Sequence, residues 1–355
     1  MKDRLERTRK LMEKAELDLL LVLSQIHRYY LSGFYGTSGA LIITSGRALL
    51  VTDFRYLKQA AGQAPGYELV KQEGMFLPSV INACKKLNPK RIGVESRHIA
   101  YADYAELNGA FGADHIVPCT FLEKMRMTKD DAERDMIGKA LRTTEEAFMD
   151  FLGILKPGMT EKRAAAELEY RMRLKGAEGF AFETLIAGGN RSALPHWRAS
   201  DAELKKGDLV IIDCGARLSG YNADLTRTVV LGRADERQKE IHGLVLKAQE
   251  ECMSGLRAGM GTREADALAR RVICTGGHGE RFGHGTGHGV GLEIHEEPHL
   301  SPVTEDRPLP AGTVVTVEPG VYVSGWGGVR IEDMAVIGEE GAFSLNSIPR
   351  DLWEI

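Results

Sequence analysis

Short apolar runs and helical stretches alternate through the first third of the chain, a rhythm that predicts an α/β domain of mixed sheet and covering helices. Residues 3–15 carry the amphipathic period of a helix, and Leu17 to Leu23 reads as a buried strand. Strand-like runs follow at Leu41-Ile-Ile43, Ala48 to Val51, Tyr67 to Val70 and Arg91 to Val94, with helical stretches near 54–62, 77–87 and 101–110. His115-Ile-Val-Pro118 closes the series. Glu123 to Lys129 then lacks a core pattern, so residues 123–130 read as a linker between domains at 1–122 and 131–355.

Beyond that point the helical stretches lengthen. Thr128 is a reasonable N-cap, with Asp130, Asp131 and Glu133 placed to favour the dipole of a first turn. The helix it opens is predicted to reach about Leu155, where Pro157-Gly158 stops it, and Thr160 opens another that ends near Lys175-Gly176. Two further helices are expected at about 234–258 and 262–273.

The apolar strands of this second part contain acids. Leu209 to Gly215 carries Asp213, and Asp224 to Leu231 begins with Asp224. Ser219-Gly220 between them is a turn signal, so the two runs are expected to pair as a hairpin. A turn centred between Leu218 and Ser219 would set Asp213 directly opposite Asp224. Val314 to Gly320 and Gly328 to Met334 carry Glu318 and Glu332 in the same way. An ionised acid in an apolar strand is destabilising unless it is paired or binds metal. One such residue is ordinarily a salt bridge. Four of them make a metal centre the simpler explanation once the segment Phe282 to Pro298 is added. It places His284, His288 and His295 among glycines 283, 285, 287, 289 and 291. Glycine permits close backbone approach, and imidazoles held that way suit a metal or an anionic transition state. Taken alone, the segment would also serve as a turn between strands.

Composition narrows the class. A chain of 355 residues is long for one core, and 43% hydrophobic with 27% charged residues is the balance of a soluble globular enzyme. The net charge of −4, with scattered basic residues, gives no electrostatic reason to expect nucleic acid or an anionic membrane. The five cysteines, Cys84, Cys119, Cys214, Cys252 and Cys274, have no CxxC spacing, which argues for reduced thiols in a cytosol. Cys214, beside Asp213, reads as small buried filler. No signal peptide is expected, and no run approaches the ~18 apolar residues of a membrane span, so a cytoplasmic protein is expected.

In order, Asp213, Asp224, His288, Glu318 and Glu332 resemble the five-ligand dinuclear site of the pita-bread metallopeptidases, the group of creatinase, aminopeptidase P, prolidase and methionine aminopeptidase. Leu194-Pro-His196, His284-Gly-Thr-Gly-His288, Val317-Glu-Pro-Gly-Val-Tyr322 and Val329-Arg-Ile-Glu332 resemble its Xaa-Pro branch. Methionine aminopeptidases usually carry a glutamine-containing word before the last glutamate, where Arg330 stands here, and lack a sizeable amino-terminal domain. The resemblance is strong over residues 125–355 and looser before them. It implies a creatinase-like α/β amino-terminal domain and an α+β pita-bread catalytic domain.

The resemblance also implies roles. Asp224 and Glu332 would bridge two divalent metal ions, Asp213 would chelate one, and His288 with Glu318 would complete the other. Glu318 would serve as general base or proton shuttle. His295 would donate to the oxyanion, His196 and His284 would hold the proline side, and Arg330 would bond Asp213 or Glu332. Phe182, Leu185 and Val290 would line a pocket for the residue before proline, although core packing suits them equally. An oxygen-rich donor set favours Mn2+, with Co2+, Fe2+ or Zn2+ as alternatives. The implied reaction is removal of an amino-terminal residue from small peptides with proline in second position, as by an Xaa-Pro aminopeptidase that also accepts dipeptides. A strict Xaa-Pro dipeptidase is the alternative, with Arg191 or Arg281 as a carboxylate anchor. A metal-free binding module on the same fold is a second class, against which the presence of all five ligands argues. Arg28-Tyr-Tyr-Leu-Ser-Gly-Phe34 and Thr52-Asp-Phe-Arg-Tyr56 resemble words of relatives in which a neighbouring subunit walls the site, so a homodimer is implied. The residues themselves read as core packing of Tyr29, Tyr30 and Phe54 with Arg55 in a strand-end salt bridge, and partner contact by Asp53 or Arg55 is the alternative.

Overall fold

A computed structural model describes residues 2–355 and divides the chain into two compact units, Met1–Met125 and Arg126–Ile355. In chain order the first contains α1 (Lys2–Lys14), β1 (Leu19–Val22), α2 (Gln25–Ser32), β2 (Ala40–Thr44), β3 (Ala48–Thr52) and α3 (Leu57–Gln63). β4 (Glu68–Lys71), α4 (Phe76–Lys85), β5 (Ile92–Glu95), α5 (Tyr101–Phe111), β6 (Ile116–Cys119) and α6 (Phe121–Met127) follow. The six strands form one mixed sheet in the order β4-β3-β2-β1-β5-β6. β1 pairs antiparallel with β2 and parallel with β5, so Leu19-Leu-Leu-Val22 is buried along its whole length. A central strand covered on both faces has no reason to alternate.

Two elements depart from the pattern reading. Ser24 caps α2 by accepting from His27 N–H, and Gly33 ends the helix at φ 77°. The word Arg28 to Phe34 is therefore mostly a helix, hidden by aromatic residues of weak helical preference. The stretch read as a linker is also ordered. α6 occupies it, Leu122 and Met125 are buried, and the boundary between units falls inside the helix. Its sequence shows no core pattern, yet Arg126 and Lys129 are each only 2% exposed and form ion pairs.

The second unit opens with α7 (Asp131–Leu152). Its cap is Asp130, not Thr128. Asp130 accepts from Glu133 N–H while the Glu133 carboxylate accepts from Asp130 N–H, a reciprocal capping box. Thr128 instead forms a backbone bridge to Thr313. α8 (Glu161–Leu174) is capped by Thr160 as expected. Then come β7 (Gly179–Phe180), β8 (Leu185–Gly188), β9 (Leu209–Cys214), β10 (Ala216–Leu218), β11 (Tyr221–Asn222) and β12 (Leu225–Val230). α9 (Glu236–Gly255) and α10 (Thr262–Thr275) precede β13 (Gly287–Gly289), β14 (Glu296–Leu300) and β15 (Val314–Val317). The chain closes with β16 (Gly320–Val323), β17 (Gly327–Arg330), β18 (Asp333–Ile337), β19 (Ala342–Ser344) and β20 (Trp353–Glu354).

Two of the sheets frame the site: β20-β12-β9-β8, and β14-β13-β15-β18-β19. Phe148 and Phe151 of α7 and Leu168 of α8 pack with Ile186, Ile212 and Val229 in one core. Ile241 and Val245 of α9 with Ala265 and Ala269 of α10 pack on Val315, Val317 and Ala335 in another. No helix among the described residues is long and apolar enough to cross a membrane.

Candidate metal centre

The hairpin of β9 and β12 turns one residue later than its sequence suggests. Ser219 at φ 50° and Gly220 at φ 77° form a two-residue turn whose strand twist suits a hairpin. Asp213 accordingly faces Thr226 rather than Asp224, and Cys214 faces Leu225. The register moves by two positions, an even number, so both aspartates stay on one face as diagonal neighbours.

The other acids are fixed by backbone bonds that cross between strands. Glu332, between β17 and β18, donates its N–H to Thr226 O at 3.1 Å, and Thr226 Oγ1 donates to Glu332 Oε2 at 2.7 Å. Glu318, just after β15, donates its N–H to Thr286 O at 2.8 Å, and Thr316 Oγ1 donates to Glu318 Oε1 at 3.2 Å. His288 lies in β13 and donates its N–H to the same Thr316 hydroxyl at 3.0 Å. Gly287 makes this approach possible, since a Cβ there would lie 1.9 Å from Thr316 O. The His288 Nδ1–H donates to Gly289 O at 3.1 Å. That tautomer leaves an Nε2 lone pair, which lies 3.6 Å from Asp224 Oδ2 and 3.4 Å from Glu318 Oε1.

Asp224, His288 and Glu332 each offer a ligand atom within 4.8 Å of the others. Arg330 Nη2 donates to Asp213 Oδ2 at 2.5 Å, which ties the fourth carboxylate to the group. Burial and the mutual repulsion of the carboxylates push Asp224 and Glu332 well above the ordinary carboxylate range, and burial raises Glu318 to about 7. Burial lowers His288 to about 3 and His284 to about 4, with His295 and Arg330 respectively adding like charge. Burial also opposes the charge on Arg330, but Tyr322, Asp213 and Glu318 outweigh it. Among the described residues, Asp213 Oδ1 and Glu332 Oε1 are buried without a hydrogen-bond partner. Orphaned carboxylate oxygens beside one imidazole nitrogen fit the donor chemistry of a divalent cation, which would remove the repulsion.

A cavity of about 470 Å³ opens over this group. Among the residues singled out from the sequence, Phe182, Leu185, His196, His284, His295 and Arg330 line it together with the five candidate ligands. Val290 does not. It is fully buried, and the β13–β14 register breaks at His288/Gly289, so alternation no longer carries it to the His288 face. Arg191 and Arg281 are also absent from the lining. Arg191 Nε donates to Glu161 at 2.6 Å, and Arg281 pairs with His278. Arg198, at the cavity edge and bonded to Glu183 at 3.2 Å, is the arginine that reaches it besides Arg330.

The loop and strand that carry the histidines are themselves anchored. Buried Glu161 accepts from Gly188 N–H, Trp197 Nε1 and Ser200 as well as Arg191, which fixes the segment holding His196. Glu296, next to His295, is held by Arg126 and by Lys129 Nζ at 2.8 Å. His284 Nδ1–H donates to Gly285 O at 2.7 Å, so its Nε2 accepts from Tyr322 Oη at 2.9 Å, while Tyr322 accepts from Arg330 Nη1 at 3.1 Å. Tyr322 and His299 were not foreseen. His299 pairs in register with His288 across β13–β14 and lines the cavity, a position that strand alternation could have revealed had the pairing been known.

Residues 135–339, more than half of the chain, match the metallopeptidase family M24. The chain belongs to that family. Residues 4–128 match the creatinase/prolidase amino-terminal domain, so both halves of the expected fold class are met. The membership makes this M24 chain a metallopeptidase, and the grouped acids and imidazole are candidate holders of its divalent metal. A protein named Xaa-Pro dipeptidase from Pyrococcus furiosus is 36% identical over 356 residues, covering 99% of this chain and 100% of its own. The structure of an Xaa-Pro dipeptidase from Bacillus anthracis superposes with a TM-score of 0.96 at 40% identity, covering 100% of this chain and 99% of that one. An X-Pro aminopeptidase from Thermotoga maritima gives 0.92 at 38% identity, with 99% and 100% coverage.

Proposed function

We propose that this metallopeptidase hydrolyses the bond between an amino-terminal residue and proline. The observation that carries the reading is the convergence of Asp213, Asp224, His288, Glu318 and Glu332 on one cavity that His196, His284 and His295 also line. Those five side chains would hold two divalent ions, with Mn2+ favoured by the oxygen-rich set. When bound, such ions supply Lewis acidity at the scissile carbonyl and lower the pKa of a water. Glu318 would take a proton from the attacking water and return it to the leaving nitrogen. His295 would donate to the oxyanion, and Arg330 would keep Asp213 in place. Phe182 and Leu185 would contact the residue before proline.

Proline carries no amide hydrogen and has a fixed φ, so a site that recognises it must use shape instead of an N–H acceptor. His196 and His284, with Tyr322 behind His284, would form that wall. A reading restricted to dipeptides is favoured by Arg198, which is 80% exposed at the cavity edge and could meet a free carboxylate. Relatives named Xaa-Pro dipeptidase and X-Pro aminopeptidase support the two readings equally. A cytoplasmic location and a homodimer complete the proposal, the former supported by five free cysteines.

The test compares kcat/KM for an Xaa-Pro dipeptide, an Xaa-Pro-Xaa tripeptide and an Xaa-Pro pentapeptide on one Mn2+-loaded preparation. Cleavage of all three at the Xaa-Pro bond is expected. Cleavage of the dipeptide alone would establish the restricted reading, and no cleavage of any would sink the proposal.

A further inference from the structure

The amino-terminal unit contains a second group of metal-ligating side chains, with no residue in common with the centre above. His27 lies in the first turn of α2, His98 follows β5, and Glu123 lies in α6. One ligand atom from each falls within 4.8 Å of the others. The His27 and His98 rings meet edge to face with centroids 4.6 Å apart, and His98 Nε2 lies 3.6 Å from Glu123 Oε1. That distance is too long for a hydrogen bond. Among the described residues Glu123 Oε1 is buried with no hydrogen-bond partner, although its side chain is only 10% exposed.

The surroundings are built to hold one of these imidazoles still. Glu95 Oε1 accepts from His27 Nδ1 at 2.6 Å, while Glu95 Oε2 accepts from Leu23 N–H at 2.6 Å and Ser24 N–H at 3.0 Å. A carboxylate on Nδ1–H fixes the tautomer and the ring orientation, the usual support of a metal-bound histidine. His27 is fully buried, whereas His98 is 20% exposed, so the group is closed below and reachable from one side.

We propose that His27, His98 and Glu123 bind one divalent transition-metal ion of zinc type. Two imidazole nitrogens and one carboxylate oxygen are a sufficient protein contribution to a tetrahedral ion, with water in the fourth position. Ligand atoms around such an ion stand about 3.4 Å apart, so the three need close by roughly an ångström, within the reach of side-chain rotation at His98 and Glu123. The ion would join α2, the end of β5 and α6 of the same unit, three segments far apart in sequence, and its expected effect is on stability.

The experiment uses the 355-residue chain in which Asp224→Asn and Glu332→Gln remove both proposed bridging ligands of the first centre. After chelation and dialysis, Zn2+ is titrated and bound metal is counted by mass spectrometry of the elements, with Co2+ absorption as a second readout of ligand geometry. One equivalent is expected, with a rise in Tm. His98→Ala and, separately, the isosteric Glu123→Gln should each abolish it. If the doubly substituted background does not fold, the otherwise unaltered chain is compared with its Glu123→Gln form, and a difference of one equivalent is expected. No zinc in the doubly substituted background, or zinc binding that survives both single changes, would show the cluster to be a packed polar group and overturn the proposal.

Discussion

Arg330 Nη2 and Asp213 Oδ2 lie 2.5 Å apart inside the group of candidate ligands, so an always-charged cation shares the floor of the cavity with the acids expected to bind metal. The guanidinium has further commitments. Its Nε donates to Thr226 Oγ1 at 3.1 Å, and Nη1 donates to Pro195 O and Tyr322 Oη, each at 3.1 Å. It therefore sets the positions of one ligand, one tyrosine and the loop that holds His196 at once.

Lysine retains the charge but cannot reproduce a planar fork of donors. Arg330→Lys is expected to lower both Mn2+ affinity and kcat/KM by about 10- to 100-fold, the usual effect of removing a group that orients a metal ligand. Calorimetric titration of the apo-protein and steady-state kinetics check both numbers. Unchanged Mn2+ affinity would remove the positioning role.

Loading the centre should release protons, and the amount should depend on pH. Burial raises Glu318 to about 7 in the metal-free protein, and Asp224 and Glu332 lie well above their ordinary values. These groups are protonated below their folded pKa and must ionise to bind a cation. His288, held near 3, is already neutral and contributes nothing. More protons should therefore leave at pH 6 than at pH 8.5, when Mn2+ is added in buffers of different ionisation enthalpy. Equal release at the two pH values would contradict the assigned shifts.

His295 separates binding from turnover. Its ring stands edge-on to His288 at 4.3 Å between centroids and lines the cavity, but no acid of the group is bonded to it in the described contacts. His295→Ala should keep the metal stoichiometry and lose about 100- to 1,000-fold in kcat, the effect of deleting one oxyanion donor. Intact turnover would make the ring a packing element.

Gly287→Ala tests the backbone behind the imidazole. The added Cβ would meet Thr316 O at 1.9 Å, and a main-chain carbonyl cannot swing aside as a side chain can. A destabilisation of about 1–3 kcal/mol or more is expected from urea unfolding, because β13 must move away from β15. Metal affinity should fall with it, since His288 N–H and Thr316 Oγ1 share that junction. A variant as stable as the parent would show that the junction can relax.

The acids were legible in the sequence because ionised groups in β-branched runs have few explanations, and the histidines because glycines surround them. Register was less accessible. The pattern Asp213 to Asp224 looks the same whether the turn is centred before or at Ser219-Gly220, and only the positive φ at both residues decides it. Arg126 and Lys129 fall in a segment that reads as a linker because it lacks a core pattern, whereas their partner Glu296 lies far away in sequence. For Val290 the core-packing alternative holds for a related reason, since one irregular pairing at His288/Gly289 cancels an alternation that the sequence alone displays as intact.

The bonds that assemble the centre join distant parts of the chain: Thr226 to Glu332 over 106 residues, Arg330 to Asp213 over 117, His288 to Thr316 over 28. The β9–β12 hairpin can form early, but a cation finds its full set of donors only after β13, β15 and β17 have docked. Contacts of such long separation form late, because loop closure precedes any reward from them. Bound metal should thus act as a latch on the finished fold rather than a template for it. In stopped-flow measurements, chelation is expected to speed unfolding and leave the refolding rate nearly untouched.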